Sequence, residues 1–144
     1  MAIAALAAAL LALAAGCGED QRDAYADDYR PLSRQIASLG EFTGNAVDTA
    51  ERKTDAQIEE QFAQIADEMA RLRGELEGLD APDGVAGAHR AMVDAMRTAE
   101  EALRGIQRAA AQSNPRDARR ETIELVRASE DLRDARSRLD GATR

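Results

Sequence analysis

The chain has 144 residues and a formal net charge of −8, because 27 acidic residues outnumber 19 basic ones. This balance argues against binding to nucleic acid and against electrostatic attachment to anionic lipid, since both partners are themselves negative. Aromatic residues make up 3% of the chain and Trp is absent, while Ala, Leu, Arg and Glu dominate, which favours helices over strands.

The first predicted element is a mostly apolar segment, Met1 to Ala15, that leads to the only cysteine, Cys17. The junction Leu13-Ala14-Ala15-Gly16-Cys17 resembles a bacterial lipobox, in which small residues permit cleavage and the cysteine accepts a diacylglyceryl group. The segment is shorter than the roughly 20 apolar residues of a membrane-spanning helix. We therefore expect residues 1–16 to be a cleavable lipoprotein signal peptide and Cys17 to be the lipidation site.

An N-terminal helix with a chance cysteine is the alternative interpretation, because residues 1–16 lack the Lys or Arg that usually opens a signal peptide. Against it, the Ala/Leu run has no polar face and would make a poor surface helix. The signal-peptide interpretation predicts a lipid-anchored protein on the extracytoplasmic face of the cell membrane. Residues 17–23 are then the lipidated cysteine and a flexible acidic tether, and residues 24–144 form one domain.

Two amphipathic helices are predicted next, each with apolar residues spaced alternately four and three apart. The first should continue through Phe42 and Ala46 to about Ala50, with a kink or a restart near Pro31. The second should follow a capping box made by Thr54 and Gln57 and end at the turn of residues 80–84. The two stripes are Tyr25, Tyr29, Leu32, Ile36 and Leu39, and then Ile58, Phe62, Ile65, Met69, Leu72, Leu76 and Leu79.

Two further helices follow, from about Gly84 to Gln112 and from about Pro115 to Gly141. Asp83 is expected to cap the third helix, and Pro115 is well placed in the first turn of the fourth. The apolar stripe of the fourth helix is weaker than those of the other three, and the opposite face of this helix is dense in charge. The two stripes are Val85, His89, Met92, Met96, Ala99, Leu103 and Ile106, and then Ala118, Thr122, Leu125, Ser129, Leu132 and Leu139.

Four such helices joined by short loops predict an all-α fold, an up-down-up-down four-helix bundle. The same spacing could instead form a coiled coil between chains, but the breakers between the segments favour packing within one chain. Because the fourth stripe is thin, both a monomer and a weak homo-oligomer are expected outcomes, and an envelope protein partner stays possible.

A further pattern joins the end of the second helix to the third: Leu76, Leu79, Pro82, His89, Met92 and Val93. With the lipobox and the acidic segment after it, this pattern is similar to small, mostly uncharacterised lipoproteins of actinobacteria. Those often have Pro-Pro where this chain has Ala81-Pro82. The resemblance implies a helical bundle with a surface anchor, and it brings no known activity.

His89, Met92 and Met96 are the candidate metal ligands, because imidazole and thioether groups on one helix face can bind copper or ligate haem iron. The alternative is a partly buried histidine, bonded to Glu75 or to free carbonyls, beside two methionines that fill the core. A single histidine without a second strong ligand makes a poor metal site. We therefore expect no resident metal or cofactor.

Catalytic patterns are missing from the sequence. No Glu precedes His89 by three, as a di-iron carboxylate site requires, and Cys-x-x-Cys-His and Gly-x-Ser-x-Gly motifs are absent. Acidic pairs such as Asp67-Glu68 are expected on solvated helix faces. The sequence thus predicts a lipid-anchored envelope protein with a non-enzymatic structural or interaction role. The alternative is a carrier of a metal, haem or small ligand on the His89 face.

Overall fold

The computed structural model describes residues 17–144, which form four α-helices. These are α1 (Cys17–Thr49), α2 (Asp55–Glu77), α3 (Asp83–Ala111) and α4 (Pro115–Ala142), with a 3-10 turn, Ala50–Arg52, after α1. No strand occurs between residues 17 and 144. The prediction of an all-helical fold is confirmed, and the arrangement is consistent with a four-helix bundle. The predicted signal peptide lies outside the described residues.

Successive helices run antiparallel, as the ion pairs between α2 and α3 illustrate. Asp67, midway along α2, contacts Arg104 at 2.8 Å, whereas Glu77 at the end of α2 contacts Arg97, which is earlier in α3, at 3.3 Å. α3 lies between α2 and α4 and packs most closely against them. α1 closes the bundle against α2, and its backbone approaches α4 at few points.

The core consists largely of the stripes that the sequence predicts, but Ala118, Thr122 and Ser129 of the predicted α4 stripe are only half-buried. Every predicted residue of the α1 and α3 stripes is buried, and so are the central residues of the α2 stripe. Leu125, Leu132 and Leu139 anchor α4, joined by the small residues Ala128 and Ala135, which the sequence analysis did not single out. Small residues on α4 let its axis come close to α3, because less side-chain volume separates the two backbones.

The helix boundaries confirm two predicted caps and correct a third. Thr54 and Gln57 form the predicted capping box before α2. Pro115 opens α4, and the Asn114 side chain accepts a hydrogen bond from the Asp117 amide at 3.2 Å. Asp83 does not cap α3, since Pro82 occupies the N-cap position and Asp83 is already helical. An acidic side chain in the first turn still interacts favourably with the helix dipole.

The first turns of α1 contradict the prediction of an irregular tether. Residues 17–23 are helical, and the acidic residues Glu19 and Asp20 favour a helix N-terminus because they interact favourably with the helix dipole. α1 also runs through Pro31 as one helix, without a restart. Phe42, inside this helix, is 50% exposed and contributes little to the core.

Candidate functional site

Cys17 is the first residue of α1, at the end of the molecule that carries the α2–α3 turn. Residues 18–24 are exposed, and Tyr25 is the first buried residue of the described chain. Arg22 covers the turn, since a Cβ on Gly84 would lie 3.5 Å from its guanidinium nitrogen. The backbone at Cys17 therefore lies at the tip of α1, before the first buried side chain. Lipidation of Cys17 stays a prediction.

His89 is held by α3 at the same end of the bundle, and 8% of its surface is exposed. Its Nδ1 lies 2.8 Å from the hydroxyl oxygen of Tyr25 on α1. The two rings meet at an interplanar angle of 67° with centroids 5.8 Å apart. Glu75, which the sequence offered as a partner for His89, pairs with Arg71 instead. Tyr25, on the diagonally opposite helix, is therefore the hydrogen-bond partner of His89 in place of the Glu75 carboxylate.

Both groups of the Tyr25–His89 pair are neutral at neutral pH. Burial raises the pKa of Tyr25 to about 12. Burial also lowers the pKa of His89, and the positive charge of Arg90 lowers it further, while Glu77 acts weakly in the opposite direction. When the Tyr25 hydroxyl donates to Nδ1, the imidazole proton resides on Nε2. The hydrogen bond thus ties α1 to α3 and occupies one of the two possible metal-binding nitrogens.

Met92 and Met96 share the α3 face with His89 and are completely buried, and Met69 of α2 is buried nearly as well. Their thioethers are packed among aliphatic side chains, where methionine commonly fills gaps. Within residues 17–144, no three His, Cys, Asp or Glu side chains come together in a way that could hold a metal ion. Coordination through Nδ1 of His89 would also require breaking its hydrogen bond to Tyr25.

The acidic pairs lie on the helix surfaces, where basic side chains meet several of them. Glu68 pairs with Arg71, and the Arg71 guanidinium, through its hydrogen bond, lowers the pKa of Glu68. Asp67 pairs with Arg104 of the neighbouring helix. Exposed pairs of this kind contribute little stability individually, about 0–1 kcal/mol. They fit the prediction of solvated helix faces.

A polar cluster between α1 and α4 was not predicted from the sequence. The Ser33 hydroxyl donates to Asp140 at 3.3 Å and accepts from Nε of Arg136 at 3.1 Å. Tyr29 lies beside this cluster, and its buried hydroxyl has no hydrogen-bond partner of good geometry among the described residues. Burial is the main reason that the pKa of Tyr29 is raised; Ser33 lowers it, while Asp140 raises it. No single-helix pattern reveals this cluster, because its members come from opposite ends of the chain.

A cavity of about 310 Å³ adjoins the cluster in the seam between α1 and α4. All four helices contribute to its walls, which include Ile36, Met69, Leu103, Leu125 and Leu132. Arg136 lines it on the α4 side, and exposed residues of α1 and α4 form its mouth. His89, Met92 and Met96 are not part of these walls. Only Met69 of the methionines discussed above faces this cavity.

Comparison with known proteins gives no relative for this chain. No protein-family profile matches it, and neither a curated protein nor a solved structure shows significant similarity. Among the helices within residues 17–144, none is both long and apolar enough to cross a membrane. Functional inference therefore depends on the residues themselves and on their arrangement.

Proposed function

We propose that this chain is a lipid-anchored, extracytoplasmic helical-bundle protein of the cell envelope with a non-enzymatic structural or interaction role. The observation that carries this proposal is the junction Leu13-Ala14-Ala15-Gly16-Cys17 behind an apolar segment. Two acyl chains on the cysteine would provide stable attachment where one would be marginal. The net charge of −8 makes the acyl chains the main source of membrane affinity.

The position of Cys17 supports this anchoring mode physically. It begins α1, and the exposed residues 18–24 separate it from the first buried side chain, Tyr25. A lipid on this residue can enter a bilayer without disturbing the core. Because the helix is continuous from Cys17, the anchor would hold the bundle by a helical stem.

The interaction role is supported by the surface of α4. Ile123 and Val126 are 48% and 51% exposed, on the charged outer face of this helix. Exposed aliphatic side chains near charges of both signs can contribute to a contact with an envelope protein partner or with a second copy. The protein is proposed to act without a cofactor and without nucleic acid.

The anchoring proposal is tested by expressing the full chain in a bacterial host that acylates lipoproteins. Wild-type protein should incorporate radiolabelled fatty acid and sediment with membranes. Cys17→Ser should abolish both, because it removes the thiol that forms the thioether. Gly18→Ser is the matched control, since a Cβ at Gly18 meets no atom within 4 Å. An intact mass that retains Met1 and a free sulfhydryl would overturn the proposal.

The interaction role needs a separate measurement, because anchoring alone does not establish it. Crosslinking in intact cells should connect the protein to an envelope component or to a second copy, and Ile123→Asp should weaken that crosslink. If the wild type formed no crosslinks at all, the interaction role would be rejected while the anchoring result stood. Elemental analysis and visible absorbance of the purified protein examine the alternative carrier of metal or haem.

A further inference from the structure

The seam between α1 and α4 differs chemically from the rest of the surface. Its cavity of about 310 Å³ falls at the lower end of the range of small-molecule pockets, about 300–1,000 Å³. The depth of the cavity is apolar, since buried Ile36, Leu103 and Leu125 line it. A ligand that enters it therefore needs an apolar portion that gains free energy on leaving water.

The mouth of the cavity carries positive charge, although the whole chain is acidic. Arg133 is exposed at the rim and forms no ion pair with any described residue. Arg136 lines the same side and contacts the carboxylate of Asp140 at 3.7 Å, a long distance for an ion pair. Glu41 stands on the opposite rim, on α1. A negative head group is thus favoured on the α4 side of the mouth.

We infer that this cavity binds a free fatty acid, with its hydrocarbon chain between α1 and α4 and its carboxylate at Arg133 and Arg136. The apolar walls match the chain, and the two guanidinium groups match the carboxylate. A second copy of the chain is a weaker candidate, because each copy carries a net charge of −8. The site is distinct from Cys17, so the inference stands whether or not the cysteine is acylated.

A substitution at Gly40 can fill the cavity without weakening the fold. It lines the cavity, it is exposed, and a Cβ placed on it meets no atom within 4 Å. Gly40→Leu should therefore fill the cavity while improving helix propensity. Gly44 is the matched control, because it is equally exposed and open, lies one turn further along α1, and is not part of the cavity wall.

The experiment uses the purified full chain in buffer and a palmitic acid analogue that bears a photoreactive group on its hydrocarbon chain. Peptides from α1 and α4 should become labelled after illumination. Gly40→Leu should lower this labelling by roughly tenfold, since displacing two methylene groups at about fourfold each already reaches that loss. Gly44→Leu should label like the wild type.

The head-group contact is tested with a second pair of variants on α4. Arg133→Gln should lower labelling by the fatty acid about threefold, as expected for an exposed charge contact. A fatty alcohol with the same photoreactive chain should be unaffected by this change. Arg138→Gln is the control, because Arg138 is also exposed and has no ion pair among the described residues, but it is not part of the cavity wall.

Several results would overturn the inference. Labelling that is absent, or that is insensitive to Gly40→Leu, would show that the fatty acid does not occupy this cavity. Equal losses for the acid and the alcohol on Arg133→Gln would reject the role of the carboxylate. A dimer that Gly40→Leu dissociates, without fatty acid labelling of the wild type, would assign the seam to a second copy of the chain.

Discussion

Gly105 and Gly40 both lie inside helices, but Gly105 is buried and Gly40 is exposed, and they differ in how close the neighbouring helix comes. A Cβ on Gly105 of α3 would come within 2.8 Å of Cγ of Glu121 on α4, so close approach depends on the missing side chain. A Cβ on Gly40 of α1 would meet nothing within 4 Å. Gly105 leaves room for the Glu121 side chain, whereas Gly40 borders an open seam.

The difference shows that small residues do not by themselves bring helices into contact. α3 and α4 approach closely because both bury small residues, including Ala99 and Ala102 of α3 and Ala128 and Ala135 of α4. On the other side of α4, the polar Ser129 and the long Arg133 and Arg136 face α1. Large, partly charged side chains opposite Gly40 keep the two helices apart and leave a cavity.

The largest expected loss of stability comes from placing a charge in the closed core, and a charge at the floor of the cavity should cost less. Leu72→Asp should unfold the protein, because Leu72 is 0% exposed and an unpaired buried carboxylate costs several kcal/mol, roughly 3–5. Met69→Asp, also in α2, should cost less, because Met69 lines the cavity and the new carboxylate has space there to turn towards the mouth. Denaturant unfolding measures both, and equal losses would contradict an open seam.

A smaller effect is expected when the close contact of α3 and α4 is forced apart. Gly105→Leu should lower the free energy of unfolding by about 1–3 kcal/mol, because Glu121 must move away from the new side chain. Combining it with Glu121→Ala should recover part of the loss. If Gly105→Leu were as stable as the wild type, the interface would be looser than described.

A loss of about 1 kcal/mol is expected from Tyr25→Phe, which removes the hydroxyl bonded to His89 and so weakens the link from α1 to the tightly packed helices. Thermal or denaturant unfolding measures it. Tyr29→Phe is the matched control in the same helix, because the Tyr29 hydroxyl has no hydrogen-bond partner of good geometry among the described residues. If Tyr29→Phe lost more stability than Tyr25→Phe, the stabilising hydrogen bond would not be the one between Tyr25 and His89.

The Tyr25–His89 pair also predicts that the free energy of unfolding depends on pH. The folded pKa of His89 is lower than its unfolded value of about 6.5, so the unfolded chain binds the proton more readily. The stability contributed by neutral His89 is therefore complete above that value and is lost as the pH falls towards the lower folded pKa. His89→Gln should flatten the dependence of unfolding free energy on pH as the pH falls below about 6.5. An unchanged slope would contradict the lowered pKa.

The smallest expected effect is a gain in stability. Gly40→Ala is expected to stabilise the protein by about 0.5–1 kcal/mol, because alanine is the better helix former and the open seam accepts its Cβ. Gly44→Ala should give a similar gain for the same reason. A destabilised Gly40→Ala variant would mean that α1 and α4 are closer than the cavity implies.

Much of the helical architecture could be predicted because each helix buries one stripe that is visible in its own sequence. Phe62, Leu72 and Leu103 are buried as predicted, and the capping box at Thr54 forms as expected. The helical state of residues 17–23 was missed because a polar composition suggests solvent exposure, which is correct, but does not exclude a helix. Exposure of Phe42 was missed because a single apolar residue beside a stripe carries no information about its partner.

The candidate site was less predictable than the fold. Periodicity placed His89 on the buried face of α3, but its partner Tyr25 lies far away in sequence on another helix. The cluster of Ser33, Arg136 and Asp140 likewise joins the first and last helices. Pairing across a bundle depends on how the helices are rotated and crossed, which the pattern of one helix does not specify.

The sequence by itself determined the four helices, most of their buried faces and the capping box of α2, because these depend on spacing and on neighbouring residues along the chain. Tertiary structure decided which buried faces meet closely and which stay apart. It brought Tyr25 to His89, set Gly105 against Glu121 and left a cavity beside Gly40. These outcomes follow from side-chain volume on both partners of each interface, and that volume becomes relevant only after the helices have packed.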